Sequence, residues 1–389
     1  MKRIYSIDCA RQVAKRRLPK MVFHFVDGGA EDETTLCRNR KVFDQITFKP
    51  RVLTGVTRRD LSATVFDRDL NIPVMLSPTG LLRLVSREAE LAAVKACGKT
   101  GTIFVLSTAS SYTIEEVAAV ATSPLWFQLY LSPDQQINRS LIQRAQTTGY
   151  QALCLTVDTP TAGKRERDIR TGMTIPPRIG FKNVMDSAWR VRWVRDYLFG
   201  RKITFRNLVD YGETDNIMTL ASFMNKRILN PGATWEDFNW LRKIWKRQIV
   251  VKGIMSAEDA MLAVDRGADG ILVSNHGGRQ LESSPSTIEI LPEVVEAVGG
   301  HAEIFLDGGI RRGRDVVKAK ALGASACLIG RPYLWGLAIG GERGVSHILD
   351  LLQDEIDRTL AFIGQSRFKD VERSAVRVRK MWQLVESEN

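Results

Sequence analysis

The sequence predicts an α/β protein built as a closed (β/α)8 TIM barrel. Eight short, unbroken apolar runs recur along the chain, at 72–77, 103–107, 125–130, 152–157, 249–252, 270–274, 304–307 and 326–330. Their β-branched content and continuous hydrophobicity fit strands buried on both faces. Amphipathic stretches of helical period separate them, over 87–100, 113–121, 133–148, 234–246, 256–266, 286–298 and 312–322. Eight βα units in series imply a parallel sheet, and eight strands suffice to close it. An open doubly wound sheet is the rival, but the regularity of the units favours closure.

Taken in order, residues 1–49 read as a polar N-terminal helical segment, with a basic cluster at Arg16-Arg17-Leu18-Pro19-Lys20. Several of the later helices carry start signals. Thr113 precedes Glu115 and Glu116, and Ser256 precedes Glu258 and Asp259, so each has a capping hydroxyl and acids in the first turn. Gly101, Gly149, Gly267 and Gly323 stand where helices should stop. One interval breaks the rhythm. Between the fourth run and its helix lie residues 160–233, far more than a βα loop needs. The expected organisation is one domain over 1–389, with 178–231 as an insertion over the C-terminal mouth of the barrel, where active sites sit.

Composition excludes several classes. With 44% hydrophobic and 26% charged residues the chain is ordinary for a soluble globular protein, and 30 Gly with 13 Pro exclude collagen-like and low-complexity architectures. No apolar run is long enough for a transmembrane helix. Lys2, Arg3, Asp8 and Arg11 interrupt the start before a signal core can form, so a secretory signal is not expected. Cys9, Cys37, Cys97, Cys154 and Cys327 are scattered, with no CxxC; this argues against a disulfide scaffold or a metal site and for a reducing compartment.

In a barrel, function is read from the residues that end the strands. Here the ends are Ser77-Pro78-Thr79-Gly80, Ser107-Thr108-Ala109, Gln128-Leu129-Tyr130, Thr156-Val157-Asp158, Lys252-Gly253, Ser274-Asn275-His276-Gly277-Gly278-Arg279, Asp307-Gly308-Gly309 and Gly330-Arg331. Every end is polar or glycine, and all converge on one rim. Asp307-Gly-Gly-Ile-Arg311 and Gly330-Arg331 follow strands seven and eight, the usual phosphate site of this barrel, and supply glycine backbone and arginine forks. The glycines lack the GxGxxG register of a Rossmann site. Lys252 in a barrel mouth needs an anionic partner or must lose its proton. It suits either a Schiff base or a cation facing an anionic ring, against the plainer reading of a rim salt bridge. His276 sits at a strand end three residues before Arg279; a general base beside a carboxylate-binding arginine is the favoured reading over a structural histidine. Asp158 and Arg165 lie across the rim, and a carboxylate near His276 would stabilise its protonated form.

Ser274-Asn-His276-Gly-Gly-Arg279-Gln-Leu resembles the active-site signature of the FMN-dependent α-hydroxy-acid dehydrogenases and oxidases. The likeness extends in order through Leu18-Pro-Lys, Gly28-Gly-Ala-Glu-Asp32, Trp126-Phe-Gln128-Leu-Tyr130, Leu155-Thr156-Val-Asp158-Thr-Pro160, Lys252-Gly-Ile, Asp307-Gly-Gly-Ile-Arg311 and Gly330-Arg-Pro332, nearly the whole chain. The resemblance implies FMN as cofactor and oxidation of an L-2-hydroxy acid to the 2-oxo acid. By that resemblance Pro78, Thr79, Ser107, Gln128, Thr156 and Ser274 would hold the flavin, and Lys252 would face its N1–C2 edge. Asp307, Gly309, Arg311, Gly330 and Arg331 would bind the ribityl phosphate. His276 would take a proton while hydride passes to flavin N5, or take the α-proton itself. Tyr130 would hold the substrate hydroxyl, Asp158 would orient His276, and Arg165 with Arg279 would grip the carboxylate. A homotetramer is implied in the same way.

Two departures matter. Phe25 stands where the family pattern has a tyrosine that meets the substrate carboxylate, and Gly80 and Ala109 are small, where glycolate oxidases resemble one another in having tryptophan at the second position. A roomier, more apolar substrate pocket follows, and a neutral 2-hydroxy ester or lactone stays open. A Schiff-base aldolase using Lys252, or a non-catalytic flavin-binding barrel, would leave His276 and Arg279 without a task. The electron acceptor is expected to be a membrane quinone, with O2 or a carrier protein as alternatives.

The last expectation comes from charge. Residues 178–206 hold eight of the basic side chains and two acidic ones, a net +6 against +12 for the whole chain. Phe181, Trp189, Trp193, Tyr197, Phe199 and Phe205 share that stretch. A basic, tryptophan-rich amphipathic segment suits an anionic bilayer surface, with packing on a neighbouring subunit as the alternative and nucleic acid disfavoured. The protein is therefore expected on the cytoplasmic side of the cell membrane, peripherally attached.

Overall fold

The structure, a computed structural model, describes residues 4–174, 178, 180–212 and 222–379. Its centre is a closed barrel of eight parallel strands, β1 (Val74–Leu76), β2 (Phe104–Ser107), β3 (Leu125–Tyr130), β4 (Ala152–Thr156), β5 (Gln248–Ile254), β6 (Gly270–Val273), β7 (Glu303–Leu306) and β8 (Ala326–Ile329). Each strand pairs with its sequence neighbours, and β8 closes onto β1. All eight expected runs are strands, because each is buried on both faces: one packs into the barrel, the other under a helix.

The helices expected between the runs are α1 (Ala89–Thr100), α2 (Ile114–Val120), α3 (Gln135–Thr147), α4 (Trp235–Ile244), α5 (Ala257–Asp265), α6 (Thr287–Val298) and α7 (Gly313–Ala321). The Thr113 cap forms as read: its hydroxyl accepts from the Glu116 amide while Glu116 returns a bond to the Thr113 amide. The eighth, α8 (Arg331–Ile363), has no counterpart in the sequence reading. Its path is broken by non-helical backbone at Gly340 and Gly341, so no continuous amphipathic period marks it. The turns on either side of the break fold back so closely that a Cβ on Gly344 would sit 1.9 Å from the Gly336 carbonyl oxygen.

The barrel interior is an apolar plug of Met75, Val105, Trp126, Cys154, Val250, Leu272, Phe305 and Leu328, one residue per strand. Phe66, from the hairpin pairing Ala63–Val65 with Arg68–Leu70, stoppers the N-terminal end against Trp126 and Phe305, with ring centroids 5.5 and 5.7 Å away. Chemistry is therefore confined to the other end. The N-terminal segment folds into helices Ile7–Arg17, Lys20–Asp27 and Thr34–Lys41, the second of which carries Phe25 to the mouth. Asp27 at its end is clamped by Arg11 at 2.6 Å and Arg167 at 3.1 Å.

The insertion after β4 forms helices Glu166–Thr171, Phe181–Ala188 and Val191–Leu198, then short turns at Arg206–Tyr211 and Met224–Ile228; residues 179 and 213–221 of the stretch 178–231 lie outside the described residues. Arg83 and Trp193 bind its helix Val191–Leu198 to the rim. The Trp193 indole donates to the Leu84 carbonyl at 2.7 Å, and the buried Arg83 guanidinium donates to the carbonyls of Asp196 and Tyr197 at the last turn of helix Val191–Leu198. A cation there completes open carbonyls and meets the negative end of the helix dipole.

Replacing Gly344 by Val should force the two parts of α8 apart. An overpacking cost of about 1–3 kcal/mol or more is expected, read as a lower thermal midpoint with intact far-UV circular dichroism. An unchanged midpoint would mean that this close approach is not needed.

Candidate active site

The strand register builds the site directly. Side chains two residues apart on a strand share a face. Two residues beyond the apolar plug therefore come Ser77, Ser107, Gln128, Thr156, Lys252, Ser274, Asp307 and Gly330, a polar layer at the C-terminal mouth. Across the sheet Ser107 is opposite Gln128 and Thr156 opposite Lys252, while Thr156 is opposite Tyr130 and Gln128 opposite Cys154, so the layer is stepped between β3 and β4. All of the layer except Gly330 is fully buried.

Lys252 is the hub of this layer. Its ammonium donates to Ser274 Oγ at 2.8 Å and lies 3.6 Å from Asp307 and 3.8 Å from Asp158. Burial opposes its charge, but the two carboxylates hold its pKa above the ordinary lysine value. A lysine kept as ammonium is no nucleophile, so the Schiff-base reading falls. Ser274 belongs to this support: it accepts from Lys252 and from the His276 amide and does not line the mouth cavity.

Asp158 reaches His276, with 2.9 Å between Oδ1 and Nδ1. Burial works against its ionisation, yet Lys252 and His276 outweigh that and lower its pKa. An ionised carboxylate at Nδ1 keeps the ring proton there, which leaves the lone pair on Nε2. His276 itself has φ 56°, a left-handed conformation rare outside glycine, followed by Gly277 and Gly278, also at positive φ. This turn swings the imidazole from the β6 end into the cavity.

The cavity, about 320 Å³, is lined by Phe25, Pro78, Thr79, Gly80, Ser107, Ala109, Tyr130, Arg165, Lys252, His276, Arg279, Asp307, Gly309, Arg311, Gly330 and Arg331, among others. The structure thus gathers sixteen residues named from sequence; Gln128, Thr156, Asp158 and Ser274 stand in its supporting wall. Not read from sequence were Leu81, Val85, Phe205, Met224, Leu229 and Leu334, an apolar side contributed largely by the rim loop and the insertion. Only the length of the insertion could have signalled them. Gly80 and Ala109 touch: a Cβ on Gly80 would lie 2.9 Å from that of Ala109, so larger side chains here would close the apolar side.

The electrostatics call for anions. Arg331 donates to the carbonyls of Val26, Gly277 and Gly28, and Arg311 to that of Ile310; neither has a carboxylate ion pair among the described residues. Burial, then the nearby Arg40, presses Arg311 down to about 9, and burial with Arg311 presses Arg331 to about 10. Arg279 donates to the carbonyls of Phe25 and Gly28, and burial with Arg165 beside it also lowers its pKa strongly. Arg165 is tied to Asp168 at 2.6 Å. The guanidinium carbons of Arg165 and Arg279 both stand 5.5 Å from the Phe25 ring centre, so the ring packs against both cations. A Cβ at Gly309 (φ 86°) would lie 2.0 Å from the Asn39 carbonyl oxygen, so only glycine brings this backbone to the rim.

Several polar atoms in the supporting wall are buried without partners: Gln128 Nε2, Thr156 Oγ1 and Asp307 Oδ1. An amide donor, a hydroxyl and a carboxylate acceptor beside Lys252, followed by the buried Arg311 and the half-buried Arg331 near the ends of β7 and β8, match a flat heterocycle with carbonyls, a hydroxylated linker and a phosphate. That donor set fits FMN.

Fold and site together define a flavin-dependent oxidoreductase on a (β/α)8 barrel. The FMN-dependent dehydrogenase family model matches residues 14–378, and the chain belongs to that family, whose cofactor is FMN. It is 42% identical over 367 residues to an L-lactate oxidase of Nostoc sp., covering 93% of this chain and 95% of that protein. It is 39% identical over 376 residues to human 2-hydroxyacid oxidase 1, covering 96% and 97%. A crystal structure of the monotopic membrane protein (S)-mandelate dehydrogenase superposes with a TM-score of 0.91 at 39% identity, covering 96% of this chain and 99% of that one.

Asp158 supplies the test of the charge cluster. Its folded pKa lies below the ordinary 3.8, so its contribution is present above that value and lost as pH falls through the folded value. Asp158→Asn should lower the thermal midpoint at pH 7, by the equivalent of about 3 kcal/mol. It should also flatten the further loss as pH falls below about 4. An acid profile parallel to that of the parent would remove Asp158 from the cluster.

Proposed function

We propose that the protein oxidises an L-2-hydroxy acid with a bulky apolar side chain to the 2-oxo acid and passes the electrons to a membrane quinone. The observation that carries the chemistry is the His276–Asp158 bond facing a cavity that also holds Arg165 and Arg279. FMN, when bound, accepts the two electrons of the oxidation as a hydride equivalent. Arg279 and Arg165 hold the substrate carboxylate, braced by the Phe25 ring between them. Tyr130, whose pKa burial lifts to about 12, stays a phenol and donates a hydrogen bond at the reacting carbon's oxygen. His276 Nε2 takes the substrate proton, and Asp158 stabilises the imidazolium that results. Lys252 sets a fixed positive charge beside the place where negative charge accumulates. Gly80 and Ala109, with Leu81, Val85, Phe205 and Met224, leave space for an aromatic or branched substituent. Phe25 cannot give the carboxylate a hydroxyl donor, worth about 1.5–3 kcal/mol to a charged partner. This favours substrates whose apolar part supplies the missing affinity. O2 as the acceptor is the second reading, favoured by relatives that are named oxidases.

His276→Ala should keep its FMN and yellow colour while anaerobic bleaching by mandelate or another bulky 2-hydroxy acid slows by about 10²–10⁴-fold. Bleaching at a near-parental rate would take the base role from His276.

Peripheral attachment to the cytoplasmic face of the cell membrane is supported by the insertion. Phe181, Val184, Met185, Trp189, Val191, Leu198 and Phe199 are all exposed, Phe181 at 79% and Trp189 at 80%, among the exposed Arg178, Lys182, Arg192, Arg195, Arg201 and Lys202. Trp193 and Phe205 are not part of this face: the first is turned to Leu84 and stacked on Tyr197, and the second is buried at the cavity. No described helix is long and apolar enough to cross a membrane, so attachment is to one surface. Each basic group near an anionic bilayer contributes about 1 kcal/mol, weakened by salt. In sedimentation with anionic liposomes the protein should pellet at low salt and be released at high salt, whereas a variant with 186–204 replaced by a Gly/Ser linker should stay in solution. If the intact protein also stays in solution while holding FMN, the membrane reading fails.

A further inference from the structure

A second cavity, of about 300 Å³, lies beside the catalytic one and outside the barrel wall. It is framed by the ends of β3, β4 and β5 and roofed by the chain returning from the insertion into α4. Tyr130, Thr159 and Leu229 line both cavities, so they form the partition. Gly253, next to Lys252, and Thr156, whose hydroxyl has no partner, carry its wall back to the polar layer of the barrel. Asn230 and Thr234 add polar groups at the roof, and the remaining wall is largely apolar, with Trp235 and Phe238 edge-to-face at 6.0 Å. Asp259 is its one charged lining residue, and that carboxylate accepts from the Ser256 hydroxyl at the start of α5.

We propose that this cavity binds the neutral ring of a quinone, the second substrate of the reaction. The inference rests on the acceptor reading given above. The chemistry needs two substrates, and the molecule offers two adjoining chambers that differ in charge. The catalytic chamber is ringed by arginines and suits an anion, and it has its own apolar side for the acid's substituent. The second chamber has no cation in its lining, so a carboxylate gains nothing there, while a flat uncharged ring gains aromatic walls. Part of its roof, Ile228, Leu229, Asn230 and Pro231, belongs to the same insertion that carries the exposed basic and aromatic face. The balance closes without another reactant: the 2-hydroxy acid gives up two electrons and two hydrogens to become the 2-oxo acid, and the quinone takes up both to leave as quinol.

The test narrows the second chamber without touching the first. Ala233 and Val157 are exposed at its edge, and neither lines the catalytic cavity. Ala233→Phe, with Val157→Phe as an independent second variant, is compared with the parent holoenzyme. Ubiquinone-1 is the probe, both in equilibrium dialysis against the oxidised protein and as oxidant in turnover. Each variant should bind ubiquinone-1 at least about tenfold more weakly and lose about tenfold in kcat/KM for it. Bleaching by the hydroxy acid and reoxidation by ferricyanide should stay within about twofold. If the parent uses ubiquinone-1 and both variants use and bind it equally well, the second chamber is not the quinone site. If the variants instead raise KM for the hydroxy acid, the chamber holds the acid's substituent and the inference is wrong. If the parent is reoxidised by ferricyanide or O2 but neither binds nor reacts with ubiquinone-1, the acceptor reading itself fails and takes this inference with it.

Discussion

The site depends on one buried ammonium, Lys252, held between two carboxylates. A charge removed from water at this depth is tolerated only when it is paired and hydrogen-bonded. Ser274, Asp307 and Asp158 meet that demand, and each is thereby committed. Asp158, ionised by Lys252, fixes the proton on His276 Nδ1; Asp307, 3.6 Å from the same ammonium, keeps an oxygen without a partner at the mouth. One side chain therefore sets the charge state of an acid and the tautomer of a base, and leaves an acceptor ready for a cofactor. The strand register makes this possible by stacking the polar layer one step above an apolar plug that excludes water from below.

A second constraint acts at the other side of the mouth. Arg279, Arg311 and Arg331 satisfy their guanidinium hydrogens with main-chain carbonyls rather than carboxylates. Carbonyl dipoles position these side chains without neutralising them. The pocket therefore retains a positive potential that anionic ligands relieve, and ligand binding and fold stability become coupled through the same arginines.

The sequence was legible where a residue's role follows from its own strand. All eight strands and the seven intervening helices could be read because each obeys a local rule of burial or capping. The polar ends could be read because a barrel sends them all to one rim. The long helix Arg331–Ile363 escaped because Gly340 and Gly341 interrupt its period. The apolar cavity side escaped because Phe205 and Met224 arrive from irregular chain, placed by contacts far away in sequence. Trp193 has the spacing of a surface residue, but a single bond to the Leu84 carbonyl turns it inward. Spacing shows which side chains share a helix face; only the partner decides where that face looks.

The anchoring of helix Val191–Leu198 joins two environments that otherwise have no reason to communicate. Arg83 and Trp193 fasten it to the loop containing Leu82, and Leu82 with the nearby Val85 lines the catalytic cavity. The outward side of the same helix carries Val191 and Leu198 into solvent. Whatever adsorbs that outward side bears on a cavity wall only one residue away. By thermodynamic reciprocity, a ligand that prefers one setting of the wall must equally favour one state of adsorption. The two side chains act as a short lever, through which the occupancy of the pocket and the whereabouts of the molecule can report on each other.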